Sequence, residues 1–181
     1  VVADDDESIV RRCLGGESQA FEVILDRYQR PLFNVAYRML GDAEEARDAT
    51  QVAFVKAWRG LPTYRSEYKF FSWLYRILVN QALSQRRRRR PAEELDERLE
   101  APGGTPEQQL EASERDHGVR EAIGTLSDEH RQVIVLRHYL QKSYEEIAEM
   151  LGIPAKTVKS RLFTARRVLG SELRRRGVRS S

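Results

Sequence analysis

Within twelve residues the chain places Tyr64, Tyr68, Phe70, Phe71, Trp73 and Tyr75, interleaved with Arg65, Lys69 and Arg76 and followed by Asn80 and the run Arg86 to Arg90. Aromatic faces stack on unpaired bases, and guanidinium groups follow a phosphate backbone. Asn80 adds a side-chain amide, which can hydrogen-bond the edge of an everted base and so supply a selectivity that stacking lacks. The chemistry this combination suggests is capture of single-stranded nucleic acid. A competing reading is packing: Phe71, Trp73, Leu74, Ile77 and Leu78 partly follow a helical core pattern. Phe71 is read as core on that ground, and Trp73 stands open between core and base. The arginine run fits a solvated helix end as well as a phosphate contact, and its place after the aromatics favours the phosphate.

A second constellation spans Ser143 to Leu169. Ser143 with Glu146 three residues later makes a capping-box start, and Ile147, Ala148 and Leu151 recur at helical spacing. Gly152 ends that helix in the left-handed turn that glycine adopts without a Cβ penalty, and Pro154 suits the first turn of the next helix. Val158, Leu162, Ala165 and Leu169 form the expected buried stripe of that second helix. Its opposite face carries Lys156, Thr157, Lys159, Ser160, Phe163, Thr164 and Arg167. Cations, hydroxyls and one aromatic suit phosphates, base edges and a thymine methyl, so the segment reads as a helix-turn-helix DNA reader. Any amphipathic helix that closes a soluble domain can show Lys and Arg on its wet face. The cap, the small alanine, the glycine turn and the basic second helix occurring together argue for the sharper reading.

Catalytic arrangements are missing from the pattern. His117, His130 and His138 lack metal-ligand spacing, no glycine-rich phosphate loop follows a strand, and no nucleophile elbow occurs. Glu44, Glu45 and Asp48 gather at a helix start, where capping and dipole complementarity account for them. No catalytic residue, metal or cofactor is therefore expected. The single cysteine, Cys13, allows no internal disulfide framework and reads as a small half-buried residue of the first helix.

The elements that must position these residues read as all-α. A short helix runs through Ile9, Val10, Cys13 and Leu14, and Gly15 with Gly16 breaks it. A long amphipathic segment from about Ser18 carries Phe21, Ile24, Leu25, Tyr28, Leu32, Val35, Ala36 and Met39, with Pro31 expected to kink or interrupt it before Gly41 closes it. The third helix, from Asp42 to about Trp58, has Ala46, Ala49 and Ala53 at spacings that suggest closely approaching helices. The loop Leu61 to Phe70, with two tyrosines expected to be exposed, leads into a fourth helix toward Arg90. From Pro91 to about Pro106 proline, glycine and acids predominate, as in a flexible linker. Helices from Pro106 to about Thr125 and from Ser127 to about Tyr139 precede the helix-turn-helix.

The expected organisation is two small helical domains: residues 1–90, an acidic connector over 91–115 running into the first C-terminal helix, and the helix-turn-helix domain over 116–181. Charge divides the same way, with net +4, −6 and +5 over those three ranges. Two basic modules imply a polyanionic partner for each, and the connector should avoid free DNA. No apolar run approaches the roughly 18 residues of a membrane span, and the acidic cluster Asp4 to Glu7 is unlike a secretory signal. A cytoplasmic protein without membrane insertion is expected.

Four stretches, AFEVILDRYQRPLFNVAYRML, DAEEARDATQVAFVKAW, FFSWLYRILVNQAL and LSDEHRQVIVLRHYLQKSYEEIAEMLGIPAKTVKSRLFTARRVL, together resemble the extracytoplasmic-function (ECF), sigma-E-like sigma factors of bacterial RNA polymerase, in the family's order. The resemblance implies region 2 over the first domain and region 4 over the last. Asp48 to Leu61, with Gln51, Phe54, Lys56 and Trp58, would dock on core polymerase. Tyr64, Arg65, Trp73, Arg76 and Asn80 would read and melt the minus-ten element. The recognition-helix face from Lys156 to Arg167 would read the minus-thirty-five element. It further implies core RNA polymerase, promoter DNA and an anti-sigma factor as partners. The rival readings are a dimeric helix-turn-helix regulator with a helical sensor domain and an enzyme acting on nucleic acid.

Overall fold

The computed structural model describes residues 5–67, 69–88 and 117–177, and within them the fold is helical, with no strand. The expected linker, Tyr68 and the last two arginines of the basic run lie outside the described residues. The first module consists of α1 (Asp6–Leu14), α2 (Phe21–Leu40), α3 (Ala43–Gly60) and α4 (Phe70–Arg88). The second consists of α5 (117–124), α6 (Asp128–Ile134), α7 (Tyr144–Leu151) and α8 (Ala155–Arg175).

Helices α2, α3 and α4 pack against one another as the core of the first module. Ala46, Ala49, Ala53 and Ala57 are completely buried on α3, so its neighbours approach close to the backbone, as the alanine spacing predicted. Asp42 starts α3 by accepting the Glu45 N–H at 2.8 Å, and Gly41, at φ 82°, ends α2 in the left-handed turn. Pro31 does not interrupt α2. It forfeits one backbone hydrogen bond, but Ile24 before it and Leu32 and Val35 after it are all buried, and that shared apolar face holds the helix together. Cys13 is more buried than expected, at 7% exposure, and burial raises its thiol pKa.

The second module departs from its sequence reading in two places. After Ile134 the helix widens into a π turn, Val135–Tyr139, closed by the Leu140 N–H on the Val135 carbonyl at 3.2 Å. Leu169, expected in the buried stripe of α8, is only half-buried, whereas Val158, Leu162 and Ala165 are inside. The capping box forms as read: the Glu146 N–H donates to Ser143 Oγ at 3.1 Å and the Ser143 N–H to Glu146 Oε2 at 2.9 Å. That second bond, with Lys142 and Lys69 nearby, holds the Glu146 carboxyl below its usual pKa of 4.5. A depressed carboxylate stabilises the fold above its unfolded pKa, and the contribution is lost as pH falls through the folded one. Glu146→Gln is therefore expected to weaken the pH dependence of the urea midpoint on the acid side of 4.5, and an unchanged slope would refute it.

The two modules pack on each other, and one continuous buried apolar cluster runs from Ile9 through Leu78 to Ala165. Arg131 crosses the boundary. It is 2% exposed and donates Nε to the Ile123 carbonyl at 3.0 Å, Nη2 to those of Gly124 and Leu126, and Nη1 to that of Met39 on α2 at 2.7 Å. Burial, reinforced by Arg86, pushes its pKa down to about 10, so it stays charged at neutral pH.

Candidate nucleic-acid interface

Gly152 occupies the left-handed region at φ 66° and ends α7, its N–H bonded to Glu149 O. The chain turns through Ile153, and the Pro154 carbonyl receives the Thr157 and Val158 N–H groups at 2.8 and 3.1 Å, starting α8. With Val158, Leu162 and Ala165 inside, the opposite side of α8 faces outward. Lys156, Lys159, Ser160, Phe163 and Arg167 are exposed there, while Thr157 and Thr164 are half-buried at its edge. Phe163 is 71% exposed, a large apolar ring that no core contact explains. Beside it a shallow depression is lined by Tyr144, Lys159, Phe163, Arg166 and Arg167. Three cations around one solvent-facing ring form a surface suited to a phosphate backbone and a base edge or methyl.

At the start of α4, three rings meet in a closed set. Tyr64 lies edge-on to Phe70 at 5.3 Å between centroids and 5.4 Å from Trp73, and Phe70 is 5.5 Å from Trp73. Phe70 is buried, whereas Tyr64 and Trp73 are half-buried, which corrects the expectation of an exposed tyrosine at position 64. Burial, reinforced by the Asp6 and Glu7 carboxylates, raises the Tyr64 hydroxyl pKa. Trp73 resolves to both of its readings: it packs against the hydrophobic core yet retains an open face. Its indole lies over Gly60, where a Cβ would stand 3.3 Å from Cζ2. Phe71 is half-buried against Tyr28, centroids 5.4 Å apart.

The set has a foundation that its own residues did not reveal. Tyr28 packs under Phe70 at 6.1 Å and donates its hydroxyl to Asp6 Oδ2 at 2.5 Å, and Asp6 also pairs with Arg27. Asp6, Tyr28 and Gly60 thus join the site as supports. Tyr28 was legible only as a core position of an amphipathic helix, and the other two carried no sequence signal.

One and two turns further along α4, Arg76 and Asn80 are both exposed and line a cleft of about 340 Å³ against Gln132, Met150 and Gly152 of the second module. Arg65 is exposed on the loop.

On α3, Asp48, Gln51, Lys56 and Trp58 are exposed, and Lys56 donates to Gln81 Oε1 of α4 at 2.6 Å. Phe54 and Leu61 are buried, at 6% and 3% exposure. Leu61 therefore anchors the end of α3 from within the core. Phe54 lines a groove of about 860 Å³ between α2 and α3 with Leu25, Arg30, Phe33, Gln51 and Val55. Of these wall residues, Val55 is 50% exposed. Among the described residues no group of His, Cys, Asp and Glu could hold a metal ion, and no helix is long and apolar enough to cross a membrane.

Residues 24–92 match Sigma-70 region 2, and residues 117–169 match Sigma-70, region 4. The chain is 34% identical to the RNA polymerase sigma-H factor of Pseudomonas aeruginosa, covering 94% of each chain. It is 33% identical to the ECF RNA polymerase sigma factor SigW of Bacillus subtilis, covering 91% of this chain and 95% of that one. Its fold is similar to that of the sigma factor RpoE of Bartonella quintana, crystallised with the anti-sigma factor NepR: TM-score 0.69 and 26% identity, covering 85% of this chain and 96% of that one. The protein belongs to the sigma-70 family, in its ECF group. It is a sigma factor, the subunit that binds core RNA polymerase and directs promoter recognition and melting, and it is not itself an enzyme.

Proposed function

We propose that the two modules divide promoter recognition along the surfaces described above. The outward side of α8, from Lys156 to Arg167, reads the minus-thirty-five element in the major groove. The Tyr64, Phe70 and Trp73 rings, with Arg65, Arg76 and Asn80, bind the minus-ten strand once it is unpaired. The observation that carries this reading is the aromatic set at the start of α4, with half-buried Tyr64 and Trp73, beside exposed Arg76 and Asn80: a stacking platform, a phosphate ligand and an amide in sequence along one surface.

Melting follows from differential binding. Rings and an amide that engage only an unstacked base favour the open duplex and offset part of the few kcal/mol that unstacking costs. The groove between α2 and α3, with Asp48, Gln51, Lys56 and Trp58 on the outer side of α3, docks on core polymerase. Buried Phe54 and Leu61 support that surface from within. Domain limits of 1–90 and 116–181 with a connector over 91–115 fit this division. A cytoplasmic location fits the partners. An anti-sigma factor, such as the partner named for the Bartonella relative, is the expected inhibitor.

Reconstituted transcription tests the reading. Added to core polymerase, the protein should give initiation at selected promoters from a genomic library, and absence of any selected start would refute it. Within that assay, Lys159→Ala should reduce the salt dependence of promoter binding by about one counterion. An unchanged slope would remove Lys159 from the phosphate contacts.

A further inference from the structure

A continuous stack of aromatic rings runs from the surface of the first module to α1. Tyr64 and Trp73 stand half-buried at its open end, Phe70 touches both, and Tyr28 of α2 lies against Phe70 and Phe71. Phe70 is 2% exposed, and a close-packed interior passes a displacement on instead of absorbing it. Trp73 is bounded on its far side by α3, where a Cβ at Gly60 would stand 3.3 Å from Cζ2. The inner end of the stack is tethered. Tyr28 donates its hydroxyl to Asp6 Oδ2 at 2.5 Å, and Asp6 Oδ1 accepts from Arg27, so both carboxylate oxygens are held. Burial, followed by the bond to Asp6, raises the Tyr28 hydroxyl pKa and keeps it the donor. Asp6 is the first residue of α1, where negative charge meets the positive end of the helix dipole. Asp5 caps that helix by accepting the Ser8 N–H at 2.7 Å, and Ile9, Val10 and Cys13 seat it in the core. The tether therefore ends on a docked helix.

We infer that Asp6 and Tyr28 are positioning residues for strand capture: their hydrogen bond fixes the depth of Phe70 and, through it, the spacing and tilt of Tyr64 and Trp73. The inference rests on the reading of α4 as the strand-binding surface, and it adds to that surface a helix that touches no DNA. A binding constellation works when its members are held within about 0.5 Å of the productive geometry. Releasing the tether leaves the rings packed but broadens their placement, so an unpaired base meets a platform that must first be ordered. Opening of the promoter then suffers, while docking on core polymerase, which uses the outer side of α3, does not.

Substitutions at the two ends of the bond test it in full-length protein bound to core polymerase, on a promoter selected by reconstituted transcription. Tyr28→Phe keeps the ring and loses the hydroxyl, and Asp6→Ala loses the acceptor. Asp6→Asn loses the charge but keeps a hydrogen bond to Tyr28 in either amide orientation. Tyr28→Phe and Asp6→Ala should each lower permanganate-detected opening about tenfold, at unchanged helicity and unchanged core binding. The double variant should fall no further than either single one, because both remove the same bond. Asp6→Asn should restore opening. Full opening in both single variants, or losses that add in the double variant, would overturn the inference. Equal loss of core binding would make the bond a merely structural one, and opening as low in Asp6→Asn as in Asp6→Ala would assign the effect to charge; either result overturns the tether. Trp73→Ala in the same assay separates the two levels. Loss of opening in Trp73→Ala but not in Tyr28→Phe would remove the tether alone, whereas normal opening in Trp73→Ala would remove the reading of α4 and the inference with it.

Discussion

Arg131→Met is expected to lower the unfolding free energy by about 2–4 kcal/mol, an effect near the top of the range for a single helical substitution. Methionine fills a similar volume but donates nothing. The Ile123 carbonyl keeps the Leu126 N–H at 3.1 Å, whereas the carbonyls of Gly124, Leu126 and Met39 lose the guanidinium. Each buried acceptor left unsatisfied costs about 1–3 kcal/mol, and removing a buried cation offsets part of the sum. Arg131→Lys should be no better, because one ammonium cannot span carbonyls of α2 and the end of α5 together. Urea unfolding followed by helicity measures both variants. A change under about 0.5 kcal/mol for the methionine variant would show that water replaces the guanidinium at little cost.

The second large effect is functional. Asn80→Ala is expected to reduce open-complex formation about 10- to 100-fold, corresponding to about 1.4–2.8 kcal/mol of lost preference for the unpaired strand. Folding should not suffer, because Asn80 is exposed on α4 and alanine is the better helix former. Permanganate reactivity of promoter thymines reports opening, and a binding assay with core polymerase reports assembly. Equal loss in the two assays would make Asn80 a structural residue, and full activity would remove it from base recognition.

These two residues also mark how much was legible in the sequence. The helix-turn-helix could be read almost whole, since Ser143, Glu146, Gly152 and Pro154 act through local backbone chemistry that needs no tertiary partner. The alanine spacing of α3 was equally local in its signature. Arg131 was not legible, because an arginine amid polar residues on a helix looks solvated until three other segments close around it. Asn80 was singled out by its chemistry, but the α7 carbonyls that hold neighbouring Arg76 lie more than seventy residues away in sequence. The π turn escaped for another reason: one extra residue in a helical turn leaves the apolar spacing of Val133, Ile134 and Leu136 almost unaltered. Leu61 and Phe54 lie on the segment assigned to polymerase contact, and their burial in the fold was not legible from a linear pattern.

The alanine seam of α3 has a consequence for re-engineering the protein. Ala46, Ala49, Ala53 and Ala57 fix the helix by backbone proximity, with no large side chains to repack, while Asp48, Gln51, Val55 and Trp58 occupy positions out of the core. Attachment and outward surface are therefore separable on one cylinder. Outer residues, which we propose face core polymerase, can be exchanged without disturbing the seam, whereas a single methyl added to the seam would push two neighbouring helices apart.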